Sequence, residues 1–205
     1  MNVLSRHQIA PTEDDWKAVK RVFRYLKGTR ELSIHYQDRS DILEAYSDAS
    51  FADCKNSLTT SGYVVRLFGN PISWRTRKQP YVGLSTCQTE YVAMSDACQE
   101  MIALDNSIKL ILDRSFAPMQ VWCDNMSAIS ATKTGGGNKL RHMAVVKEHF
   151  VKQCVALGQV SVRWTSSKSQ IADIFTKPLS FDLHKKFTDK LFNILCKIVF
   201  VCPGN

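Results

Sequence analysis

The strongest constraint on the fold is a long helical pattern over Ser85–Leu112, with strand-like segments before and after it. Ser85 and Gln88 have the spacing of a capping box at its start. One face then carries a stripe that is apolar except at its first member, made of Glu90, Ala93, Met94, Ala97, Met101, Leu104, Ile108 and Ile111. A carboxylate on a buried helix face is costly unless something pairs with it, so Glu90 is a candidate functional residue. Three acidic residues off the stripe are interpreted as surface charges: Asp96, Glu100 and Asp105.

The rest of the chain alternates between strand and helix patterns. Strands are predicted at Ile34–Tyr36, Ile42–Ser47, Ser61–Phe68, Pro71–Trp74, Met119–Cys123 and Val160–Trp164. Helices are predicted at Asp14–Lys27, Met126–Thr132, Lys139–Leu157 and Phe181–Ile194, with a helical turn at Ser169–Phe175. This order indicates an α/β fold in which helices are layered on a mixed sheet.

The amino-acid composition indicates which kinds of molecule the chain can bind. The net charge of +8 over 205 residues favours a polyanionic partner, nucleic acid first. The seven cysteines are odd in number and include no Cys-x-x-Cys pair, which argues against a disulfide framework or a zinc site and favours a reducing compartment. The most apolar stretch, Leu191–Val201, is interrupted by Lys197 and is shorter than the roughly 20 residues that cross a bilayer. We therefore expect no membrane partner.

Four carboxylates fall where one edge of such a sheet can bring them together. Asp48 and Asp124 follow predicted strands. Glu90 opens the helix stripe, and Asp173 lies near the start of a predicted helical turn. Gathered without a cationic side chain of their own, these groups would repel one another, and divalent cations remove that repulsion. Two Mg²⁺ ions roughly 4 Å apart can activate water and stabilise a leaving oxygen. Spacing alone leaves open the alternative that each residue is a turn residue, an N-cap or a first-turn charge.

Eight short motifs occur in order along the chain: Tyr46–Ala49, Thr60–Tyr63, Ile72–Trp74, Leu84–Thr86, Thr89–Ala93, Cys123–Asn125, Leu140–Met143 and Ile171–Leu179. Together they resemble the ribonuclease H domain of copia-type LTR retrotransposon polyproteins. The preceding segment resembles the tail of the same polyprotein's reverse transcriptase. We therefore divide the chain into a reverse transcriptase remnant at 1–33, a ribonuclease H domain at 34–191, and a tail at 192–205 that does not resemble the family.

The resemblance implies the ribonuclease H fold, a five-stranded mixed sheet flanked by helices. It implies endonucleolytic hydrolysis of the RNA strand of RNA–DNA hybrids during reverse transcription, with two Mg²⁺ ions for which Mn²⁺ can substitute. The implied partners are the hybrid and the reverse transcriptase portion of the same polyprotein, in a cytoplasmic retrotransposon particle or in the nucleus. The chain departs from the family at Gln88, where a glutamate is usual. The family's catalytic and metal-binding carboxylates fall on Asp48, Glu90, Asp124 and Asp173.

Two further sets of residues are candidates for roles near such a site. A predicted loop places three positive charges beside an aromatic ring, in Trp74, Arg75, Arg77 and Lys78. Such side chains contact phosphates, sugars and bases. His142, on the second long helix, is a candidate proton shuttle. The alternatives are a basic loop with a core tryptophan, and a histidine of the helix surface or core.

Two other functions are compatible with parts of this pattern. Integrases and transposases end their carboxylate series with a glutamate on a late helix, whereas the glutamate here comes second, which argues against them. A non-catalytic, nucleic-acid-binding remnant of a transposon stays open, because intact carboxylates show competence for cleavage and not its use.

Overall fold

The computed structural model describes residues 2–37, 40–51, 58–80, 82–133 and 145–192. The chain forms two compact units, whose boundary in the sequence lies between Ile34 and His35. The first unit contains helix α1 at Asn2–Ser5 and helix α2 at Glu13–Gly28. The second unit contains all the strands of the described residues and the remaining helices.

Helix α2 begins at a complete capping box. The Thr12 hydroxyl accepts a hydrogen bond from the Asp15 backbone N–H, and the Asp15 carboxylate accepts one from the Thr12 backbone N–H. The Asp15 carboxylate also accepts a hydrogen bond from the Thr12 hydroxyl at 2.6 Å. The bonds from the Thr12 hydroxyl and backbone N–H, together with His7, whose Nδ1 lies 2.6 Å from Asp15 Oδ1, lower the pKa of Asp15 to about 2. The predicted helix Asp14–Lys27 is confirmed to within one residue at each end.

The second unit is built on a five-stranded mixed sheet. Its strands β1 to β5 are Leu43–Ser50, Thr60–Leu67, Asn70–Lys78, Met119–Cys123 and Val160–Trp164. The sheet order is β3-β2-β1-β4-β5, with antiparallel pairs β1–β2 and β2–β3 and parallel pairs β1–β4 and β4–β5. The expected mixed sheet is confirmed. Because β1 and β4 are parallel neighbours, the residues at their C-terminal ends lie side by side.

Two strand predictions need correction. Ile34–Tyr36 is not a strand, although hydrogen bonds anchor it, including one from the His35 N–H to the Phe192 carbonyl at 3.1 Å. Strand β3 continues past Trp74, since its pairing with β2 extends to Lys78. The predicted basic loop is therefore part of an edge strand.

Helices cover both faces of the sheet. Helices α3 (Thr86–Leu112), α4 (Met126–Lys133) and α5 (Val145–Ala156) enclose the main hydrophobic core on one face. Helix α6 (Phe181–Phe192) and a 3-10 turn at Ile171–Phe175 enclose a smaller core on the other. These elements confirm the helical predictions within the described residues. Residues 139–144 and 193–194 of the two predicted later helices lie outside them. None of the helices in the described ranges is long and apolar enough to span a bilayer.

The start of α3 is capped by Ser85, whose hydroxyl accepts a hydrogen bond from the Gln88 N–H at 3.2 Å. The Gln88 side chain bonds to the Leu84 N–H at 2.7 Å and not to that of Ser85, so the reciprocal half of the predicted box is displaced by one residue. The predicted stripe is buried at Glu90 and at the apolar positions up to Met101, which lie against the sheet. The first half of α3 thus fixes its position relative to β1 and β2.

The interpretation of Asp96 and Asp105 as surface charges is wrong, because both residues are 8% exposed. Arg77 and Lys147 bind the Asp96 carboxylate, with N···O distances of 2.5 and 2.7 Å. Asp105 accepts a hydrogen bond from the Phe116 N–H at 2.7 Å. Helix α3 is covered by α5 and neighbouring segments as well as by the sheet, so faces off its apolar stripe are also buried.

Candidate active site

Asp48 lies within β1, two residues before its end, and is 1% exposed. Its partner on β2 is Gly62. A Cβ atom at Gly62 would lie 2.7 Å from Phe175 Cβ and 2.9 Å from Thr176 Cγ2. Glycine at this position therefore allows the 3-10 turn to pack directly on the sheet. As a result the Thr176 hydroxyl reaches Asp48 and donates a hydrogen bond to its carboxylate.

Glu90 lies in the second turn of α3 and is 6% exposed. Its carboxylate accepts a hydrogen bond from the Ala49 backbone N–H of β1. Its Oε2 atom is buried and has no hydrogen-bond donor among the described residues. Burial, followed by the negative charges of Asp48 and Asp124, raises the pKa of Glu90 well above its usual value.

Asp124 and Asp173 approach Asp48 from two further elements. Asp124 directly follows β4, and the Ser167 hydroxyl donates a hydrogen bond to its Oδ2 at 2.8 Å. Asp173 lies in the 3-10 turn and is 3% exposed. Burial, and then the charge of Asp48, raises the pKa of Asp173 to about 7. One carboxylate oxygen from each of Asp48, Asp124 and Asp173 lies within 4.8 Å of the other two.

Asp124 also belongs to a second group of close atoms. One oxygen of Glu90, the Cys123 Sγ and one oxygen of Asp124 lie within 4.8 Å of one another. All four predicted carboxylates therefore converge, with Asp124 common to both groups. Their roles in catalysis and metal binding remain predictions, which this convergence makes geometrically feasible.

The expectation that this cluster lacks a cationic side chain is wrong. The Lys177 Nζ atom lies 3.1 Å from Asp173 Oδ1 and 3.5 Å from Asp48 Oδ1. Although burial acts to lower it, the pKa of Lys177 is raised by the charges of Asp48 and Asp173. The sequence contained a signal, since Lys177 follows Asp173 by four residues, a spacing at which helical side chains meet. The ammonium group compensates part of the negative charge of the cluster.

The donor set fits hard divalent cations. The four predicted ligands offer carboxylate oxygens, which are the ligands that Mg²⁺ and Mn²⁺ prefer. A buried carboxylate oxygen without a donor, such as Glu90 Oε2, is costly unless a cation or a donor reaches it. The residues that could hold metal ions are thus Asp48, Glu90, Asp124 and Asp173.

The predicted nucleic-acid-binding residues lie on the edge strand β3. Trp74 is 53% exposed, and strand alternation puts Lys78 on the same face of β3 as Trp74. Arg77 lies on the side of α3, where its guanidinium binds the buried Asp96. Arg75 shares that side by alternation and is exposed. The four residues thus divide between the two faces of one strand, and their contribution to binding stays a prediction.

His142, the candidate proton shuttle, lies outside the described residues. The sequence reasoning missed the residues that hold the carboxylates in place, above all Thr176, Ser167 and Gly62. Thr176 and Ser167 are ordinary polar residues in sequence, and Gly62 becomes informative only when the 3-10 turn is seen against it. These contacts join residues more than 40 positions apart, which no local pattern predicts.

Fold and site together define a class: an α/β protein whose mixed five-stranded sheet carries an acidic cluster suited to divalent cations. No protein-family model matches the chain. Over 194 residues, or 93% of its length, it is 33% identical to the retrovirus-related Pol polyproteins from transposons RE2 and RE1 of Arabidopsis thaliana. It is 32% identical over 178 residues to the corresponding polyprotein from transposon TNT 1-94 of Nicotiana tabacum. The chain belongs to the copia-type Pol polyproteins of LTR retrotransposons.

The chain spans 13% of the length of each of these Pol relatives. A shorter relative, the secreted RxLR effector protein 161 of Plasmopara viticola, is 40% identical over 106 residues, which cover 51% of this chain and 75% of that protein. Among solved structures, the N-terminal RNase H domain of rv2228c from Mycobacterium tuberculosis aligns with 73% of this chain and 98% of its own, at a TM-score of 0.49 and 11% identity. RNase H1 from Halobacterium salinarum NRC-1 aligns with 65% of this chain and 93% of its own, at a TM-score of 0.47 and 15% identity.

Proposed function

We propose that this chain is the ribonuclease H portion of a copia-type Pol polyprotein and that it hydrolyses the RNA strand of RNA–DNA hybrids. The observation that carries the proposal is the convergence of Asp48, Glu90, Asp124 and Asp173 from four separate elements onto one end of the sheet. If these four residues were only turn residues, helix caps or first-turn charges, nothing would require their side chains to lie close together. A shared function explains why four costly carboxylates, three of them buried, lie together.

In this proposal the four carboxylates hold two Mg²⁺ ions, for which Mn²⁺ can substitute. When bound, the two ions activate the attacking water and stabilise the leaving oxygen of the phosphodiester. Asp48, Glu90, Asp124 and Asp173 are the residues that would hold the ions, and Asp124 belongs to both groups of close atoms.

The protein's own contribution is to fix the ligands before metal arrives. The Thr176 hydroxyl orients Asp48, the Ala49 N–H orients Glu90, and the Ser167 hydroxyl orients Asp124. Each of these donors holds one oxygen and leaves lone pairs free on the same carboxylate. Ligands held in this way lose little conformational entropy when they coordinate a cation.

The substrate is proposed to lie along the edge strand β3, beside the acidic cluster. The net charge of +8 favours a nucleic acid, and Trp74 with Lys78 offers an exposed aromatic ring and a cation on one side of β3. Preference for RNA paired to DNA would come from contacts to 2′-hydroxyl groups and from the shape of the duplex. The reverse transcriptase portion of the same polyprotein is the proposed second partner, in a cytoplasmic or nuclear particle.

The test is cleavage of a labelled RNA–DNA hybrid by the purified chain in Mg²⁺, compared with single-stranded RNA, double-stranded RNA and double-stranded DNA. We expect internal cuts in the hybridised RNA only, and none in excess EDTA. Asp124→Asn is the matched control, because it keeps the shape of the side chain and removes a ligand charge. Cleavage of double-stranded DNA would instead support an integrase-like reaction. Binding of the hybrid without cleavage would support the non-catalytic remnant.

A further inference from the structure

A cysteine sits among the proposed metal ligands. Cys123 is the last residue of β4 and is fully buried. Its Sγ atom, one oxygen of Glu90 and one oxygen of Asp124 lie within 4.8 Å of one another. Strand alternation explains this position, because Cys123 faces the main core, as Met119 and Val121 do, and that is the side on which α3 carries Glu90.

The sulfur is unsuited to the cations proposed for cleavage. Mg²⁺ is hard and prefers oxygen, so a buried thiol beside it adds nothing to its coordination. Thiolate ligands instead favour soft or borderline cations, of which Zn²⁺ combines readily with carboxylate oxygen and sulfur in one site. Glu90, Cys123 and Asp124 together are such a mixed donor set.

Two observations show that these atoms are prepared for a ligand. Glu90 is more than nine-tenths buried, and its Oε2 has no hydrogen-bond donor among the described residues. The Asn125 backbone N–H points at the Cys123 Sγ, with an N···S distance of 3.4 Å, and so holds the sulfur beside Glu90 and Asp124, although burial raises the pKa of this thiol. Ligands of one tetrahedral Zn²⁺ lie about 3.5 Å apart, given Zn–S and Zn–O bonds of about 2.3 and 2.1 Å. Atoms already within 4.8 Å need only a small shift of side chains to meet that spacing.

We propose that Glu90, Cys123 and Asp124 form a binding site for a thiophilic divalent cation, Zn²⁺ or Cd²⁺, which excludes Mg²⁺ and so inhibits the chain. On binding, the cation forms a bond to Sγ and the thiol proton passes to the solvent. Exclusion follows because Glu90 and Asp124 would be ligands of both kinds of cation. The inhibitory part of the proposal rests on the proposed function, whereas the binding part does not.

The binding part is tested with Cd²⁺ alone on the metal-free chain, by ultraviolet thiolate-to-cadmium charge-transfer absorption. The variant is Cys123→Ser, and the matched control is Cys87→Ser, a cysteine that is half-buried and outside the cluster. We expect Cys123→Ser to lose the absorption of about one thiolate, and Mg²⁺ to displace Cd²⁺ from that site in the control. Losing a ligand should weaken Cd²⁺ binding at least about tenfold, since losing second-shell contacts alone costs about 10- to 100-fold. Equal absorption and affinity in both variants would overturn the proposal.

Inhibition is measured separately, as the Zn²⁺ concentration that halves hybrid cleavage, with each variant compared to its own rate without Zn²⁺. We expect Cys123→Ser to need at least about tenfold more Zn²⁺ than Cys87→Ser, following the same loss of a ligand. Unchanged sensitivity would mean that the carboxylates alone bind Zn²⁺. If the unsubstituted chain does not cleave, the proposed function fails, and the Cd²⁺ absorption still decides the binding site. If Cys123→Ser does not fold, as judged by circular dichroism, Cys123→Ala and Asp124→Asn replace it, and both should reduce the same absorption.

Discussion

Replacing Lys177 by Met tests whether its ammonium group compensates the acidic cluster. Methionine keeps an unbranched side chain of similar length and removes the charge. The lost contacts are those at 3.1 Å to Asp173 and 3.5 Å to Asp48. At an effective dielectric constant of about 20, each attraction amounts to about 5 kcal/mol before any opposing terms.

Most of that attraction is offset. The Lys177 side chain is 35% exposed, so water screens both contacts, and burying the ammonium group costs desolvation free energy. We therefore expect the metal-free variant to lose about 2 kcal/mol of unfolding free energy, between the values for exposed and buried ion pairs. In a chain of this size that loss lowers Tm by roughly 4–8 °C.

Magnesium should narrow the difference in stability between the variant and the unsubstituted chain. An ammonium group beside Asp48 and Asp173 competes with any cation for the same oxygens, so its removal should tighten Mg²⁺ binding by up to about tenfold, or about 1.4 kcal/mol. Mg²⁺ should then raise the Tm of the variant more than that of the unsubstituted chain, by mass action.

The assays are thermal unfolding with and without Mg²⁺ and calorimetric titration of Mg²⁺ in the absence of nucleic acid. Lys17→Met is the control, because Lys17 forms an exposed pair with Asp14 and its loss changes the net charge equally. The reasoning is refuted if Lys177→Met matches this control in metal-free stability and in Mg²⁺ affinity. A variant with normal Mg²⁺ affinity but weaker hybrid binding would instead make Lys177 a phosphate contact.

Three further predictions concern pH, packing and nucleic acid. The pKa of Asp173 is raised to about 7, so this carboxyl binds more protons in the folded chain than in the unfolded chain, and metal-free stability should fall as the pH rises from about 4 to 7. In a series of Tm measurements against pH, Asp173→Asn should flatten that fall. An unchanged slope would show that another group causes the pH dependence. Gly62→Ala should lower the unfolding free energy by about 1–3 kcal/mol and weaken Mg²⁺ binding, because the new Cβ would lie 2.7 Å from Phe175 Cβ in the 3-10 turn. An unchanged Mg²⁺ affinity in calorimetric titration would show that the turn moves without disturbing the carboxylates. Replacing both Arg75 and Lys78 by Ala should flatten the log–log salt dependence of hybrid binding by about 2 units if both contact phosphates, while a slope equal to that of Lys17→Met would remove them from the interface.

The positions of the four carboxylates were predictable because strands and helices have strong local signals. Asp48 lies near the end of β1 and Asp124 directly follows β4, and the parallel pairing of these strands brings their ends together. Glu90 was predictable because it opens a stripe that is otherwise apolar and has helical spacing. Local pattern thus located these carboxylates in the sequence, and sheet topology brought them together.

The surroundings of the site were not predictable, because they depend on contacts between distant segments. Lys177 was overlooked as a neighbour of Asp48, since 129 positions separate them and the packing of the 3-10 turn on the sheet at Gly62 brings them together. Asp96 was misassigned to the surface because periodicity describes one face of α3 and cannot indicate that α5 covers another. The predicted strand at Ile34–Tyr36 is wrong because this segment joins no strand of the described sheet, and the His35 N–H bonds to the Phe192 carbonyl instead.

The central claim is that four carboxylates act as one metal-dependent centre for cleavage of hybridised RNA. The most direct test measures Mg²⁺-dependent cleavage of a labelled RNA–DNA hybrid by the unsubstituted chain and by its four single variants Asp48→Asn, Glu90→Gln, Asp124→Asn and Asp173→Asn, each checked for folding by circular dichroism. We predict that the unsubstituted chain cuts the RNA strand and that every folded variant loses at least about 100-fold in rate, as expected when a group needed in the transition state is removed. A folded variant that cleaves at the unsubstituted rate would remove its residue from the centre, and cleavage that persists in excess EDTA would contradict the account as a whole.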